Sequence, residues 1–273
     1  MGVPARPPIE ERFPAPSVMG VVNVTPDSFS DGGVHLREDA AVTSAWGMLD
    51  DGAAIIDVGG ESTRPGSEGV SAEEELSRVG PVLADLGGAP VSIDTSKAAV
   101  ARRAIELGVE LVNDVTALRG DPELAGVVAD AGCYLCLMHM LGEPRTMQVA
   151  PVYDDVVSDV KRFLDERLAV AVQAGVREEL ICLDPGIGFG KTPAHNFELV
   201  RRLPELLELG RPLLIGFSRK SSLGKLIGRP TGSAAASVGA AVSAYERGAS
   251  IIRAHDVREH VEALAAARAV AAS

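Results

Sequence analysis

The sequence predicts one α/β domain folded as a (β/α)8 barrel of parallel strands. Eight short runs rich in Val, Ile and Leu alternate with longer segments rich in Ala, Leu, Glu and Arg along the whole chain. Each apolar run is too short for a stable helix, and such uninterrupted runs are typical of parallel strands buried on both faces. The 273 residues allow about 34 for each strand–helix repeat, which favours one eight-fold barrel over two separate domains.

The apolar runs and the segments between them give the predicted elements in chain order. Predicted strands occupy residues 18–22, 54–58, 91–93, 111–112, 134–138, 180–183, 213–215 and 250–253. Predicted helices occupy residues 38–49, 97–107, 153–174, 196–209, 234–247 and 257–271, with two more beginning near Ser71 and Pro122. Ser71 is followed three residues later by Glu74, which is a capping-box pattern, and Pro122 suits the first turn of a helix.

The two ends of the chain bound the predicted domain. Residues 1–16 are rich in proline and mixed in charge, so we expect a flexible N-terminal extension there and no signal peptide. Residues 17–273 then form the barrel domain, because no linker or low-complexity tract interrupts the repeat before an Ala-rich tail.

Composition argues against several classes of protein. The 26 Lys and Arg against 38 Asp and Glu give a formal net charge of −12, which disfavours a nucleic-acid partner because phosphate binding needs a basic face. No apolar run approaches the ~18 residues of a membrane-spanning helix. The 3 cysteines cannot all pair and nothing else indicates secretion, so we expect a cytoplasmic globular protein.

Polar side chains follow nearly every predicted strand. They are Asn23, Asp57, Asp94, Asn113 with Asp114, His139, Asp184, Ser218 to Lys220, and Arg253 with His255. Any one of them alone is explained as a turn or capping residue, but a repeat at the ends of eight strands is harder to explain that way. The longest irregular segments, residues 25–37, 59–70 and 139–151, also follow strands. We therefore expect a polar small-molecule site at the C-terminal face of the strands, where the active sites of barrels lie.

The charges on this face indicate two kinds of ligand group. The cations are Arg64, Lys220, Arg253 and His255. Cations gathered within an acidic chain point to an anionic group such as a phosphate or a carboxylate. Asp94, Asn113 and Asp184 supply hydrogen-bond acceptors and an amide, which suit a flat heterocycle rich in N–H donors. We expect one site that holds a nitrogen heterocycle and an anion together.

Three motif-like patterns do not meet their templates. Residues 184–192, DPGIGFGKT, resemble a phosphate-binding P-loop, but Pro185 stands where the first glycine of that motif belongs. Lys191 likewise occupies the third glycine position of a dinucleotide-binding fingerprint. Cys133 and Cys136 have the spacing of a metal or redox pair, yet residues three apart in a strand point to opposite faces. We therefore expect buried structural thiols.

Two longer segments carry a specific resemblance. Residues 19–33, MGVVNVTPDSFSDGG, and residues 56–67, IDVGGESTRPGS, resemble the two signature segments of the dihydropteroate synthase family. Later blocks match that family in the same order, at residues 92–95, 112–115, 137–140, 183–190, 218–220 and 253–255. The resemblance covers nearly the whole chain, from about residue 17 to the last predicted helix.

This resemblance implies a TIM barrel that joins p-aminobenzoate to 6-hydroxymethyl-7,8-dihydropterin diphosphate and releases diphosphate, a Mg²⁺-dependent step of folate biosynthesis. It also implies a homodimer whose ligands are small molecules. The chemistry of the residues agrees, because the pterin is a flat nitrogen heterocycle and the diphosphate is an anion. The pterin ring can delocalise positive charge, so diphosphate can depart before the arylamine attacks. The protein would then mainly position the substrates and neutralise the leaving charge.

The resemblance further implies roles for individual positions. Those implied to hold the pterin are Asp94, Asn113, Asp184 and Lys220, with Met138 and Gly216 lining its slot. Those implied to bind the diphosphate are Thr63, Arg253 and His255, with Asn23 as the ligand of Mg²⁺. Those implied to shape the p-aminobenzoate pocket are Phe29, Pro65, Phe189 and Ser221.

Catalysis is expected to depend on Lys220, Arg253, Asp31 and Arg64. The last two lie on the irregular segments 25–37 and 59–70, and they are either ordinary solvated charges or a pair that forms on ligand binding. We expect these segments to close over the diphosphate, which would pair Asp31 with Arg64 and complete the p-aminobenzoate pocket. Binding would then be ordered, with pterin diphosphate first.

Two other functions remain open at this point. A pterin-binding methyltransferase barrel would share the heterocycle pocket, although it would not need residues 29–33, the anion site or residues 218–220. A weakly active binding paralogue would share the whole site. The chain also departs from the family pattern at Ser222, where many members carry a bulky apolar residue, so the shape of the p-aminobenzoate pocket is left open.

Overall fold

All eight predicted strands are present in a computed structural model of the protein, which describes residues 6–25, 34–62, 66–67, 69–142, 146–148 and 150–272. They are β1 (Ser17–Asn23), β2 (Ile55–Gly59), β3 (Val91–Asp94), β4 (Leu111–Asp114), β5 (Tyr134–Met138), β6 (Ile181–Asp184), β7 (Leu214–Ile215) and β8 (Ile251–Ala254). Every pairing is parallel, in the order β6-β5-β4-β3-β2-β1-β8-β7. A bridge between Leu183 and Leu213 brings the two ends of the sheet together. The predicted barrel is confirmed.

Helices surround the strands. In the described part of the chain they are α1 (Ile9–Arg12), α2 (Val34–Asp50), α3 (Ala72–Asp85), α4 (Ala98–Glu106), α5 (Leu124–Ala131), α6 (Val156–Gln173), α7 (Pro193–Arg201), α8 (Leu203–Leu207), α9 (Ser221–Leu226), α10 (Ala234–Tyr245) and α11 (Val257–Ala271). The backbone N–H of Glu74 donates to the Ser71 hydroxyl, so the predicted cap begins α3. The helix predicted over 196–209 is divided between α7 and α8, because Pro204 lacks the N–H that would continue it.

Side chains alternate between the two faces of each strand, and this alternation sorts the core into two layers. Outward residues such as Ile56 and Val58 pack under the helices. Inward residues fill the N-terminal half of the barrel, which we call the floor: Met19, Ile55, Leu111, Tyr134, Cys136, Leu180, Cys182, Leu214 and Ile251. Cys133 belongs to the outer layer, and all three cysteines are buried free thiols, as predicted.

The described part of the N-terminal segment packs against the floor. Ile9 and Phe13 are 0% and 1% exposed and join the floor residues. The Tyr134 hydroxyl donates to the Pro7 carbonyl at 3.0 Å, and Arg12 forms an ion pair with Glu110 at 2.5 Å. Over residues 6–16 this differs from the flexible extension that we expected for residues 1–16. The reason is that Ile9 in α1 and Phe13 directly after it, four residues apart, lie on the same side and cover the open end of the barrel.

No helix within the described ranges is long and apolar enough to cross a membrane.

Candidate active site

The opposite end of the barrel, which we call the mouth, is lined by polar side chains. In β2, Ile55 fills the floor and Asp57, two residues further on, faces the same interior; β8 repeats this with Ile251 and Arg253. Three more polar side chains reach the mouth from β3, β4 and β6, namely Asp94, Asn113 and Asp184. The expected meeting of polar residues at the C-terminal ends of the strands is therefore present.

A buried network joins four strands across the mouth. The Arg253 guanidinium donates from Nε to Asp57 at 2.7 Å and from Nη2 to Asp94 at 3.1 Å. Asp57 is 0% exposed, and it also accepts hydrogen bonds from the Ser92 hydroxyl at 2.7 Å and from Asn113 Nδ2 at 2.9 Å. Asp57 therefore fixes both the arginine and the amide.

Asn113 has one unused acceptor. Its Nδ2 is held by Asp57, whereas its Oδ1 is buried and has no hydrogen-bond partner among the residues that the structure describes. A buried acceptor left unpaired costs about 1–3 kcal/mol. A ligand with an N–H donor would recover that free energy.

The two carboxyl groups that reach the mouth from β3 and β6, Asp94 and Asp184, titrate close to neutrality. Burial, reinforced by the charge of Asp57, raises the pKa of Asp94 to about 7. Burial also raises the pKa of Asp184 to about 6, against the hydrogen bond from the Gly186 N–H at 2.7 Å and the charges of Lys220 and Arg253. Both groups are poised between neutral and ionised forms in a way that exposed carboxyls are not.

Lys220 stands at the edge of the mouth. Its Nζ lies 4.3 Å from the centre of the Phe189 ring, which is a cation–π contact. Burial, followed by the charge of Arg253, lowers the pKa of Lys220 to about 8. The side chain is therefore mostly protonated at pH 7.

His255 does not carry the charge that the sequence analysis assigned to it. Its ring Nδ1 is 3.1 Å from the Ser218 hydroxyl, beside Arg253 and Lys220. Burial, followed by the charges of Arg253, Arg219 and Lys220, lowers the pKa of His255 to about 4. The expectation of a cation is wrong because burial and the positive charges of the neighbouring side chains disfavour a protonated ring. His255 is therefore a neutral hydrogen-bonding group at pH 7.

Asn23 ends β1, half-buried at the rim of the mouth. Gly59, which ends β2, leaves a gap there: a Cβ at this position would lie 3.8 Å from Asn23 Oδ1 and 3.4 Å from the Asp94 Cβ. No group of three or more His, Cys, Asp or Glu side chains able to hold a metal occurs in the described part of the chain.

Four other predicted site residues are described: Met138, Phe189, Gly216 and Ser221. Met138 is buried with Val115, and Phe189 packs beside them. Gly216 leaves room beside Arg253, since a Cβ there would lie 3.8 Å from the Arg253 Cβ. Ser221 begins α9 and is exposed.

Ser222 points away from the solvent. It is 4% exposed, and its hydroxyl accepts a hydrogen bond from Asn196 Nδ2 at 2.7 Å. The other end of the same amide accepts from the Gly188 N–H at 2.8 Å. The residue that departs from the family pattern is therefore part of a link between α9 and the segment that follows β6.

Five predicted site residues, Phe29, Asp31, Thr63, Arg64 and Pro65, lie outside the described residues. Asp57 is the opposite case, since its position in an apolar run is visible in the sequence but no role was predicted for it. The signal was available, because a carboxylate within the apolar run of β2 requires buried partners.

Comparison with known proteins agrees with the geometry. The family described as pterin binding enzyme matches residues 19–255. The dihydropteroate synthase of Escherichia coli is 49% identical over 253 residues, which cover 91% of this chain and 89% of that protein.

Two solved structures of Xanthomonas albilineans dihydropteroate synthase share the fold. The structure with 4-aminobenzoic acid has a TM-score of 0.89 and 47% identity, and it covers 96% of this chain and 95% of its own. The complex with 7,8-dihydropteroate has a TM-score of 0.86 and 45% identity at the same coverage of 96% and 95%.

These relatives are synthases and not methyltransferases, which decides between the two enzyme classes left open by the sequence. The chain belongs to the dihydropteroate synthase family, the transferases of folate biosynthesis that join 6-hydroxymethyl-7,8-dihydropterin diphosphate to p-aminobenzoate to give 7,8-dihydropteroate and diphosphate.

Proposed function

We propose that this synthase binds the pterin ring in the mouth, between Asp94, Asn113 and Asp184. The observation that carries the proposal is the buried, unpaired Oδ1 of Asn113, with the Asp94 carboxyl at the paired position on β3 and the Asp184 carboxyl at the end of β6. The pyrimidine edge of a pterin presents several N–H donors, which suit these acceptors. Met138 and the gap at Gly216 fit the walls of a slot for a flat ring.

The diphosphate belongs on the Arg253 side of the ring. Among the described residues, Asp57 and Asp94 occupy Nε and Nη2 of Arg253, so Nη1 remains for a phosphate oxygen. His255 supplies a neutral hydrogen bond, and Thr63 remains a prediction from the sequence. The fixed guanidinium lowers the cost of reorganisation as negative charge develops on the leaving group.

The reaction exchanges one bond for another at the pterin methylene carbon. The C–O bond breaks and its electron pair departs with the diphosphate, while the ring stabilises the cationic carbon. The amine nitrogen of p-aminobenzoate then forms the C–N bond and releases a proton to solvent. Lys220, largely protonated at pH 7, adds positive charge at the edge of the mouth.

Asn23 fits the role of a magnesium ligand. Its amide oxygen is a hard donor at the rim of the mouth, next to the gap that Gly59 leaves. Mg²⁺ keeps several waters and often takes one or two protein ligands with substrate phosphates completing the shell, so a single amide is sufficient. The bound ion would supply Lewis-acid stabilisation of the departing diphosphate.

The p-aminobenzoate pocket would form at the outer edge of the mouth. Phe189, with the Lys220 ammonium over its ring, and the exposed Ser221 are the described residues that support it. Phe29 and Pro65 would close it when Asp31 pairs with Arg64 over bound diphosphate. Binding is then ordered, and p-aminobenzoate binds weakly until pyrophosphate or the pterin substrate is present.

A direct assay of 7,8-dihydropteroate, with and without Mg²⁺, tests the assignment. Asn113→Ala should raise the KM for pterin diphosphate roughly tenfold, the value of one buried hydrogen bond. Asp165→Asn, on the exposed face of α6, is the control and should leave KM unchanged. An unchanged KM in Asn113→Ala would place the pterin elsewhere. Pterin binding without product would identify a binding paralogue.

Two further predictions concern the whole protein. We propose a homodimer, which light scattering at micromolar concentration tests directly. We also propose a cytoplasmic location, which is compatible with the three free, buried cysteines. Fractionation of the source cells would check it.

A further inference from the structure

Lys191 is a buried lysine for which the reaction outlined above has no use. Burial lowers its pKa to about 7, against the charge of Asp184, so the side chain is protonated over the acid range in which Asp184 titrates. Lys191 lies next to the end of the glycine-rich segment 185–192, the β6–α7 loop, which resembles a phosphate-binding loop in sequence. Instead of reaching the mouth, the side chain turns back beneath its own loop and is 2% exposed.

The ammonium group of Lys191 is fully engaged there. Its Nζ donates to the carbonyls of Gly186 and Phe189, both at 3.0 Å, and lies 2.8 Å from His139 Nδ1. Since an ammonium has no acceptor, His139 Nδ1 must accept. Burial, followed by the charge of Lys191, lowers the pKa of His139 to about 2, so the imidazole is neutral and its proton is on Nε2.

These three contacts hold the inner part of the loop against the end of β5. Gly186 has φ +69°, and a Cβ there would come within 1.8 Å of the His139 carbonyl oxygen, so the turn is pressed onto that residue. The outer part has its own supports, because Tyr153 donates to the Gly190 carbonyl at 2.8 Å and Asn196 accepts from Gly188. Among the described side chains, that of Lys191 donates hydrogen bonds to the carbonyls of both Gly186 and Phe189.

Both anchored residues act directly on groups at the mouth. The Gly186 N–H donates to the Asp184 carboxyl, and the Phe189 ring carries the Lys220 ammonium. Charge acts in the same direction, because Lys191, Lys220 and Arg253 all face Asp184 and favour its ionised form. The charge of Arg119 also acts on His139 and favours its neutral form.

We propose that Lys191 is a positioning residue of the synthase reaction: from beneath the β6–α7 loop, its ammonium fixes Gly186 and Phe189 and keeps positive charge behind Asp184. This inference rests on the proposed roles of Asp184 in pterin binding and of Phe189 in p-aminobenzoate binding. Lys191 itself touches neither substrate.

Lys191→Met removes the charge and the donors but keeps a long side chain. Asp184 would then lose its support, and with it the charged hydrogen bond that it is proposed to make to the ring, so the binding of a phosphate-free pterin analogue should weaken at least about tenfold. The pH at which acid halves that binding should rise, because Asp184 loses a neighbouring cation. Lys191→Arg keeps the charge and the donors, so the pH at which acid halves pterin binding should return to the wild-type value. Lys225→Met, on the exposed side of α9, is the matched control and should behave as wild type.

A folded Lys191→Met protein with wild-type pterin affinity and wild-type pH dependence would overturn the inference. If that variant does not fold, Asp184→Asn replaces it, since the lysine then stays in place. The ¹³Cε resonance of Lys191 should titrate at lower pH in Asp184→Asn, because the carboxylate that stabilises the ammonium is gone. An unchanged titration overturns the proposed charge coupling. Unchanged pterin affinity in Asp184→Asn would instead refute the proposed pterin site.

Discussion

At the scale of the residue, the mouth is an arrangement of charges that are paired before any ligand arrives. Asp57 and Asp94 hold Arg253 from two strands, and Asp57 also orients the Asn113 amide. Ligand binding therefore needs little rearrangement of these side chains, which is the condition under which fixed charges stabilise a transition state most.

Removing charge from either carboxyl of the proposed pterin site should weaken pterin binding while the fold persists. Asp94→Asn and Asp184→Asn keep the shape of the side chain but lose the charged acceptor. We expect each to reduce pterin affinity at least about tenfold, since hydrogen bonds to charged groups contribute ~1.5–3 kcal/mol. Calorimetry with a pterin analogue measures this. Near-normal affinity in both variants would contradict the assignment.

Pterin binding should weaken on acidification from pH 8 to pH 5.5. The pKa of Asp94 is about 7 and that of Asp184 about 6, so both carboxyls gain protons across this window. A protonated carboxyl presents an O–H towards the N–H donors of the ring and loses the charge that favours them. Affinity should therefore fall through pH 7 and again through pH 6. A phosphate-free analogue keeps substrate titration out of the measurement, and Asp184→Asn should lose the lower step.

At the scale of the element, the barrel closes at one end with its shortest described α-helix. Phe13→Ala should lower the free energy of unfolding by about 3–5 kcal/mol, because it removes an aromatic ring from the floor and leaves a cavity. Urea denaturation measures the change. Val270→Ala, at a position 78% exposed on α11, is the control and should change it little. A small effect of Phe13→Ala would mean that α1 detaches from the floor in solution.

The elements differ in how well the sequence predicts them. Strands were found because their apolar runs are continuous, a local property of parallel strands. The floor contact of α1 was missed because its two apolar side chains only acquire a function once the barrel offers them an open end. The short helix α9 was missed for a related reason, since six residues carry too little periodicity to be recognised.

The same distinction applies to the site. Asp94, Asn113 and Asp184 could be picked out because each follows its own strand. The link from Arg253 to Asp57 joins residues far apart in the chain. The neutral state of His255 depends on burial and on three cations, two of which, Arg219 and Lys220, come from another segment. Lys191 was recognised as a misfit in the dinucleotide-binding fingerprint, but no sequence rule shows that its ammonium turns inward.

At the scale of the whole molecule, the proposed metal and anion sites should act as one. Mg²⁺ should tighten pyrophosphate binding, and pyrophosphate should tighten Mg²⁺ binding by the same factor, within the roughly 5- to 150-fold range of typical couplings. Calorimetry in both directions tests this, after correction for the binding of Mg²⁺ to free pyrophosphate. Asn23→Ala should reduce the factor. Affinities that are independent of each other would place the metal away from the diphosphate.

The packed floor also leaves the mouth as the route by which ligands exchange with solvent. With Ile9 and Phe13 across the far end, a molecule held deep in the barrel leaves only after whatever lies above it has left. An occupant of the outer pocket should thus lengthen the residence time of the pterin beneath it. In a stopped-flow chase, the dissociation rate of a fluorescent pterin should fall as a p-aminobenzoate analogue is added. A rate independent of the analogue would mean that the two ligands leave by separate routes. The closed floor of the barrel would thus determine the order in which ligands dissociate from the mouth.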